Sequence, residues 1–371
     1  MSLVPTLLLW APFFLRLTSF WKIPLPADGM ATVVANYDGP LYILVAKSFY
    51  DTSKLTEIET NLPPNYFAAH FPLFPLIIRT FAFVTGYPYG LLIATILGSI
   101  LATYFFYKFI GEFVSKENAL WLTFVFCLLP ARYLIVRSVG SGEPLFIAAI
   151  LASVYYFHKK KFLSAGVWGA VAQLTKSPGI LIFIAYFLYL MFPKIKRAAI
   201  SAKAFLTLGH LKKYYGLTLI PLALLGLFAF YKLRMNDFFA YFHSGDNIHL
   251  FFPPFQVFNY QAPWVGTFWL EDVVFTYLII GLGIAQLIKK RLYLLAWVAG
   301  IYFFSLLFVA HRDILRYALP VIPFMIAGYA DTLITKEFRV VMFFLLIPIY
   351  LFSLGFIAQN TMPISNWAPF L

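Results

Sequence analysis

The stretch FLSAGVWGAVAQLTKSPGILIFIAYFLYLMFP, residues 162–193, decides how this chain is organised. It is apolar almost throughout. Lys159-Lys160-Lys161 precede it, and Lys194, Lys196 and Arg197 follow it. A run of this length and character is membrane-spanning, and lysine-rich flanks mark the cytoplasmic side. Because both flanks are basic, both ends belong in the cytoplasm, and the run must cross twice. The turn falls at Lys176-Ser177-Pro178-Gly179, where proline and glycine supply the break.

The rest of the chain extends this pattern in both directions. Of 371 residues, 62% are hydrophobic and only 12% charged, against about 25% charged in an average soluble domain. No single soluble core could bury so many apolar runs, so lipid must solvate most of them. Expected spans lie at about 3–21, 88–110, 119–136, 143–157, 162–175, 178–193, 216–231, 272–288, 292–310, 317–333 and 340–358, eleven in all. The first run lacks a basic start and contains Arg16, so it reads as a membrane helix rather than a signal peptide. The expected fold class is therefore an all-α polytopic membrane protein forming one transmembrane domain over residues 1–371, without internal repeats.

Charge orients the spans. More than half of the 28 Lys and Arg fall in short loops: Lys108 and Lys116, Lys159 to Lys161, Lys194 to Lys213, Lys289 to Arg291, and Lys336 with Arg339. This accounts for the net charge of +13 as a topology signal and removes the case for nucleic-acid binding. Most of the 15 acids fall in the other set of loops, among them Asp28, Asp38, Asp51, Glu57, Glu59, Glu143, Asp237, Asp246, Glu271, Asp272 and Asp313. Residues 71–86, with Pro72, Pro75 and Arg79, would invert this pattern if they crossed, so they read as a helix along the outer interface. Two long external loops result, about 22–87 and 232–271, the second rich in Phe, Tyr and Trp. Long loops between packed spans usually carry function. The lone cysteine, Cys127, permits neither an intrachain disulfide nor a cysteine metal cluster. Absence of any Asn-x-Ser/Thr site favours a bacterial or archaeal plasma membrane over the endoplasmic reticulum.

In the first external loop, Asn36-Tyr37-Asp38-Gly39-Pro40 precedes a run too short to span. Pro40 suits a first helical turn, which puts Asp38 at a helix start beside the membrane. There it either caps the helix or, kept ionised by the helix dipole, serves as a general base. His70-Phe71-Pro72-Leu73-Phe74-Pro75-Leu76-Ile77-Ile78-Arg79 follows, on its own an interfacial aromatic helix with proline breaks.

Tyr37-Asp38-Gly39…Tyr42, followed by Phe71-Pro72-Leu73-Phe74-Pro75-Leu76…Arg79, resembles the PIG-V-like family of GPI mannosyltransferase II and its prokaryotic relatives. Leu129-Pro130-Ala131 with Gly142-Glu143-Pro144-Leu145-Phe146 resembles a later block of that family. So do Leu174-Thr175-Lys176-Ser177-Pro178-Gly179 and His311-Arg312-Asp313-Ile314-Leu315-Arg316-Tyr317-Ala318-Leu319-Pro320. The blocks occur in family order over about residues 35–325. Three positions depart from the pattern: Lys176 where Arg is commoner, Gly142 where Ser precedes the Glu, and His70 where an aromatic is common.

That family belongs to the C-type glycosyltransferases, multi-span enzymes that use a lipid-phosphate-linked sugar. The resemblance implies transfer of a mannose-like sugar from a polyprenyl- or dolichyl-phosphate donor to a hydroxyl of a glycolipid or glycan acceptor. It also implies inversion at the sugar carbon, with Asp38 in the position of the acidic residue of the first external loop, as catalytic base; no cofactor is expected. Arg312 and Arg316, four apart, share a face if helical and suit phosphate through their planar forks; both could equally anchor a helix end among headgroups. Asp313 between them could orient one of them or cap a helix. Lys176, Arg132 and Arg137 are further cationic candidates, and His70 and Arg79 belong to the family blocks. Glu143 reads either as a ligand of sugar hydroxyls or as a helix-start residue before Pro144. His243, Asp246 and His249 have the ligand types of a metal site, but this mechanism needs no metal. The aromatic loop would cover a lipid tail or stack on sugar, or simply anchor at the interface. A transporter or lipid flippase is the alternative class, and a non-catalytic subunit of a membrane complex a second.

Overall fold

The computed structural model describes residues 1–58, 62–198, 208–245, 248–259 and 269–371. Expectations that fall on Glu59, Lys203, Asp246 and residues 260–268 of the aromatic loop lie outside the described residues.

Helices form where the apolar runs lie: α1 (Leu3–Phe14), α2 (Gly39–Ser48), α3 (Leu73–Thr85), α4 (Tyr87–Ile110), α5 (Lys116–Leu128), α6 (Ala131–Val136), α7 (Glu143–His158), α8 (Phe162–Thr175), α9 (Ile180–Ala198), α10 (Leu219–Met235), α11 (Trp269–Lys289), α12 (Tyr293–Leu306), α13 (Ile322–Gly328) and α14 (Lys336–Gln359). The break at Lys176 is real. Lys176 has extended backbone, residues Ser177–Gly179 make one 3-10 turn, and α9 starts at once.

Three expected spans are shorter or more broken than the hydropathy suggests. The first ends at Phe14 rather than at residue 21. Arg16, Trp21 and Lys22 take positive φ, and Ser19–Phe20 pairs with Ile23–Pro24 in a small antiparallel hairpin. The span at 119–136 divides into α5 and α6 at Leu129-Pro130, because Pro130 has no N–H to continue the ladder and holds Leu129 in extended backbone. The span at 317–333 becomes a series of short helical pieces around Pro320 and Pro323. Four helices among the described residues are long and apolar enough to cross a membrane by themselves, ending at Ile110, Met235, Lys289 and Gln359. At about 1.5 Å per residue, α7, α8 and α12 run only about 21–24 Å, short of the roughly 30 Å hydrocarbon layer. α7 and α8 each meet a polar cavity at one end, at Glu143 and Lys176.

The centre of the packing is α7. Every residue from Glu143 to Val154 is buried, so the helix is enclosed on all sides. Gly98 on α4 lets it approach closely, since a Cβ there would lie 2.7 Å from the Leu145 nitrogen. At the far end of α7, Lys159 pairs with Glu112 at 2.5 Å, and at the start of the chain leading into α12, Lys290 pairs with Asp331 at 3.0 Å. The lateral faces carry exposed Phe343, Phe344, Ile347 and Phe304, as lipid-facing surfaces require. α3 has 13 residues, too few to cross.

After α14 the chain folds back beside the start of the first loop. Asn36 is fully buried; its Nδ2 donates to the Thr32 and Ile357 carbonyls at 3.0 and 2.8 Å, and it pairs as a bridge with Thr361. Met362 N donates to the Ala35 carbonyl at 2.8 Å. This strap holds the chain two residues before Asp38. Asn36→Ala strands two buried carbonyls and is expected to cost about 2–3 kcal/mol, read as a lowered unfolding midpoint in detergent. An unchanged midpoint would show the strap to be dispensable.

Candidate active site

Asp38 stands at the start of α2, yet its side chain makes no capping bond. Asp51, before the next short helix, does the ordinary thing and accepts from Ser53 N at 3.1 Å. Tyr37, in the left-handed region at φ +48°, turns the chain just before Asp38. Gly39 is pressed so tightly beneath it that a Cβ would lie 2.4 Å from the Val34 carbonyl oxygen. The Asp-Gly-Pro sequence thus serves a tight helix entry that frees the carboxylate from the backbone.

That carboxylate meets Arg316. Arg316 Nη2 donates to Asp38 Oδ2 at 3.1 Å, and Arg316 Nε lies 3.1 Å from Glu143 Oε1. Lys176 Nζ donates to the same Glu143 oxygen at 2.6 Å, while Ser141 Oγ donates to Oε2. Four distant stretches therefore form one chain of charges: Asp38, Arg316, Glu143, Lys176. Two aromatic rings hold its central guanidinium, Tyr37 at 4.6 Å and Tyr317 at 6.0 Å from the ring centroids.

A second pair lies alongside. Arg132 Nε is 3.1 Å from Asp313 Oδ1, and Arg132 Nη1 donates to the Tyr37 hydroxyl at 3.3 Å. Its guanidinium sits over Phe356 at 3.9 Å. Asp313 pairs with Arg132 and makes no helix cap. Asp313 N donates to His311 Nδ1 at 2.9 Å, so neutral His311 carries its proton on Nε2. Burial, then His249, Arg316 and Arg312, press the His311 pKa down to about 4, and its ring lies tilted against that of His249, the centroids 4.4 Å apart.

The charged groups of both clusters, with Tyr37, Tyr317, His249 and His311, line one cavity of about 1150 Å³. Of the residues singled out from the sequence, Asp38, His70, Arg132, Glu143, Lys176, His249, Arg312, Asp313 and Arg316 line it. Arg79 does not: it lies on α3, its Nη1 3.5 Å from the Ala46 carbonyl and its guanidinium over Phe49. Arg137 is also elsewhere, fully buried and donating to the Cys127 carbonyl and to Ser2. His243 pairs with Asp237 at 2.6 Å, and no group of three metal-ligating side chains occurs among the described residues.

Electrostatics set the state of these groups. Burial raises the Asp38 pKa, but the Arg316 guanidinium and the Lys176 ammonium outweigh it and hold the carboxyl below its ordinary value. Asp38 is therefore an anion at neutral pH, and its side chain is still 38% exposed. His70 is pushed down by burial and is neutral there; its ring packs edge-on to Tyr42 at 4.9 Å. Arg312 is exposed to the cavity and makes no ion pair or hydrogen bond among the described residues. The cavity holds four cations, Arg132, Lys176, Arg312 and Arg316, against three carboxylates, Asp38, Glu143 and Asp313.

Sequence reasoning did not single out Tyr37, Tyr317 or the strap residues Gln359, Asn360 and Thr361 as parts of this wall. For Tyr37 the signal was its place beside Asp38. The strap has no motif; its place follows from tertiary pairing alone.

No protein-family profile matches the sequence, and neither does any curated protein. Among solved structures the fold is similar to that of ArnT from Cupriavidus metallidurans. In the form bound to undecaprenyl phosphate the TM-score is 0.60 at 12% identity, covering 92% of this chain and 61% of ArnT. In the apo form it is 0.56 at 13% identity with the same coverage. The chain thus spans about three-fifths of the length of ArnT, and what the two share is the architecture of a helical membrane protein.

Proposed function

We propose that this protein is a membrane glycosyltransferase, a prokaryotic relative of the PIG-V-like C-type enzymes. It moves a mannose-like sugar from a polyprenyl-phosphate donor to a hydroxyl of a glycolipid acceptor on the non-cytoplasmic face, across a scaffold of about eleven membrane crossings. One observation carries the reading. An ionised carboxylate that neither caps its helix nor is closed off stands in a large cavity together with cations from separate parts of the chain. Undecaprenyl phosphate, bound by the ArnT structure of similar fold, is of the donor-carrier class that the sequence resemblance implies.

In the reaction, the acceptor O–H proton passes to Asp38 as the oxygen attacks the sugar carbon. The carbon–oxygen bond to phosphate breaks on the opposite face, and its electron pair leaves with the phosphate. This inverts the sugar carbon. Preorganised cations favour the departing charge because they need no reorganisation at that moment. Arg312 is best placed for this, since Arg132, Lys176 and Arg316 each already face a carboxylate. A phosphodiester donor carries one negative charge, which balances the one excess cation of the cavity.

The test is transfer from polyprenyl-phosphate-mannose, by purified protein in detergent, to a panel of glycolipids. Wild type should transfer. Arg312→Ala should lower kcat/KM by about 10²-fold or more with an unchanged unfolding midpoint. Absence of transfer to any acceptor, with labelled lipid crossing reconstituted vesicles instead, would replace this reading by a flippase.

A further inference from the structure

Glu143 is an odd group to find at a sugar site. It is 7% exposed, and three protein groups crowd its two oxygens. One oxygen receives Lys176 and Arg316 together, and the other receives Ser141. Three of its four lone-pair directions are thus engaged by protein groups. The two cations it holds also act on Asp38, whose facing charged and titratable groups are Arg316, Tyr317 and His311 from the segment before α13, Lys176 from the turn after α8, Glu143 from the start of α7, His70 from the segment before α3, and Tyr42 on its own helix.

We propose that Glu143 is a positioning residue that shares Arg316 and Lys176 with Asp38, so that Asp38 is kept ionised yet is not neutralised by a closed ion pair. The inference rests on Asp38 being the base. Its logic is competitive. A carboxylate with a guanidinium and an ammonium to itself would be a stable anion and a poor proton acceptor, because proton affinity falls as the charged form is stabilised. Glu143 draws Arg316 by its Nε edge, which leaves a single Nη2 contact for Asp38, and ties Lys176 through the shortest ion pair of the cluster. Ser141, anchored beside it, fixes the direction of the Glu143 carboxylate. The placement follows from the local sequence. Glu143 opens α7, the central helix, so its position is as fixed as any in the molecule.

Opposite-signed substitutions test this. In Glu143→Gln, one negative neighbour of Asp38 is removed and both cations turn toward Asp38, since Asp313 is already paired with Arg132. The acid limb of the kcat–pH profile, where Asp38 takes up its proton, should move to lower pH, and kcat at neutral pH should fall by about 10-fold or more. In Lys176→Gln, a positive neighbour is removed and the limb should move to higher pH. The double variant Glu143→Gln/Lys176→Gln removes a mutually compensating pair; it should fold like wild type, and its limb should return toward the wild-type position. Donor KM should change less than about 3-fold in all three, since none of them touches the sugar.

A limb that stays in place in both single variants, with kcat reduced, overturns the proposal and leaves Glu143 a structural residue. A large rise in KM at unchanged kcat overturns it in favour of sugar binding. If Glu143→Gln does not fold, Lys176→Gln and the double variant carry the test alone. Failure of the underlying reading looks different: Asp38→Asn would then transfer normally, and the acid limb would not belong to Asp38 at all.

Discussion

Asp38→Asn is expected to reduce sugar transfer by about 10³-fold while leaving the protein folded. The magnitude follows from general base catalysis, which contributes about 10²–10⁴-fold, and the variant removes the acceptor of the proton without changing shape. Stability should change little. The side chain caps no helix, so nothing in the backbone of α2 depends on it. Asn can still accept from Arg316 Nη2 through its amide oxygen, although Arg316 then has Glu143 as its one carboxylate partner. The measurement pairs initial rates with an unfolding midpoint in the same detergent. Equal rates for variant and wild type would return Asp38 to a structural role and place the base elsewhere. Residual activity that rises steeply with pH would show hydroxide or a second group replacing the carboxylate.

How much of this was written locally in the chain varies with the range of the interaction. Helix positions were legible because they depend on runs of apolar residues and on basic flanks, both of which can be read within about twenty residues. The turn at Lys176 was legible for the same reason. Breaks at Leu129-Pro130 and around Pro320 and Pro323 carry a local signal too, but mean hydropathy over a long window averages it away. Candidate site residues could be named from the sequence, and nine of them line one cavity. Their partnerships could not. That Glu143 faces Arg316 across the sequence, or that Asp313 holds Arg132 and not its neighbour Arg316, is decided by which helices pack together. Arg79 shows the reverse case: it sits in a block of the right character, but the helix turns it toward Ala46 and Phe49 on the far side.

The same dependence on tertiary pairing makes Arg316 the most consequential cation in the molecule. Its side chain is 14% exposed and is the only bridge between Asp38 and Glu143 among the described residues. Arg316→Met should therefore have two separable effects. First, it leaves two carboxylates near each other with Lys176 alone to compensate them. Breaking a buried ion pair from one side costs about 3–5 kcal/mol, so the unfolding midpoint should drop sharply at neutral pH. Second, it changes Asp38. With its principal cation gone, burial prevails and the Asp38 pKa rises, so the stability deficit should narrow as the pH falls and the carboxyl becomes neutral. Wild type should behave the other way. A carboxylate held below its ordinary pKa contributes stability above its unfolded pKa, and that contribution is lost as the pH falls through the depressed folded value. Adding Glu143→Gln to Arg316→Met removes the stranded anion and should recover much of the midpoint without recovering transfer, because the base is still left without its orienting guanidinium. Arg316→Lys keeps the charge but not the fork that reaches two carboxylates at once, so it should hold the fold better than Met and transfer little better. If the double variant instead regained near-wild-type rates, Arg316 would be a structural counterion only, and the charge chain from Asp38 to Lys176 would have no part in the chemistry.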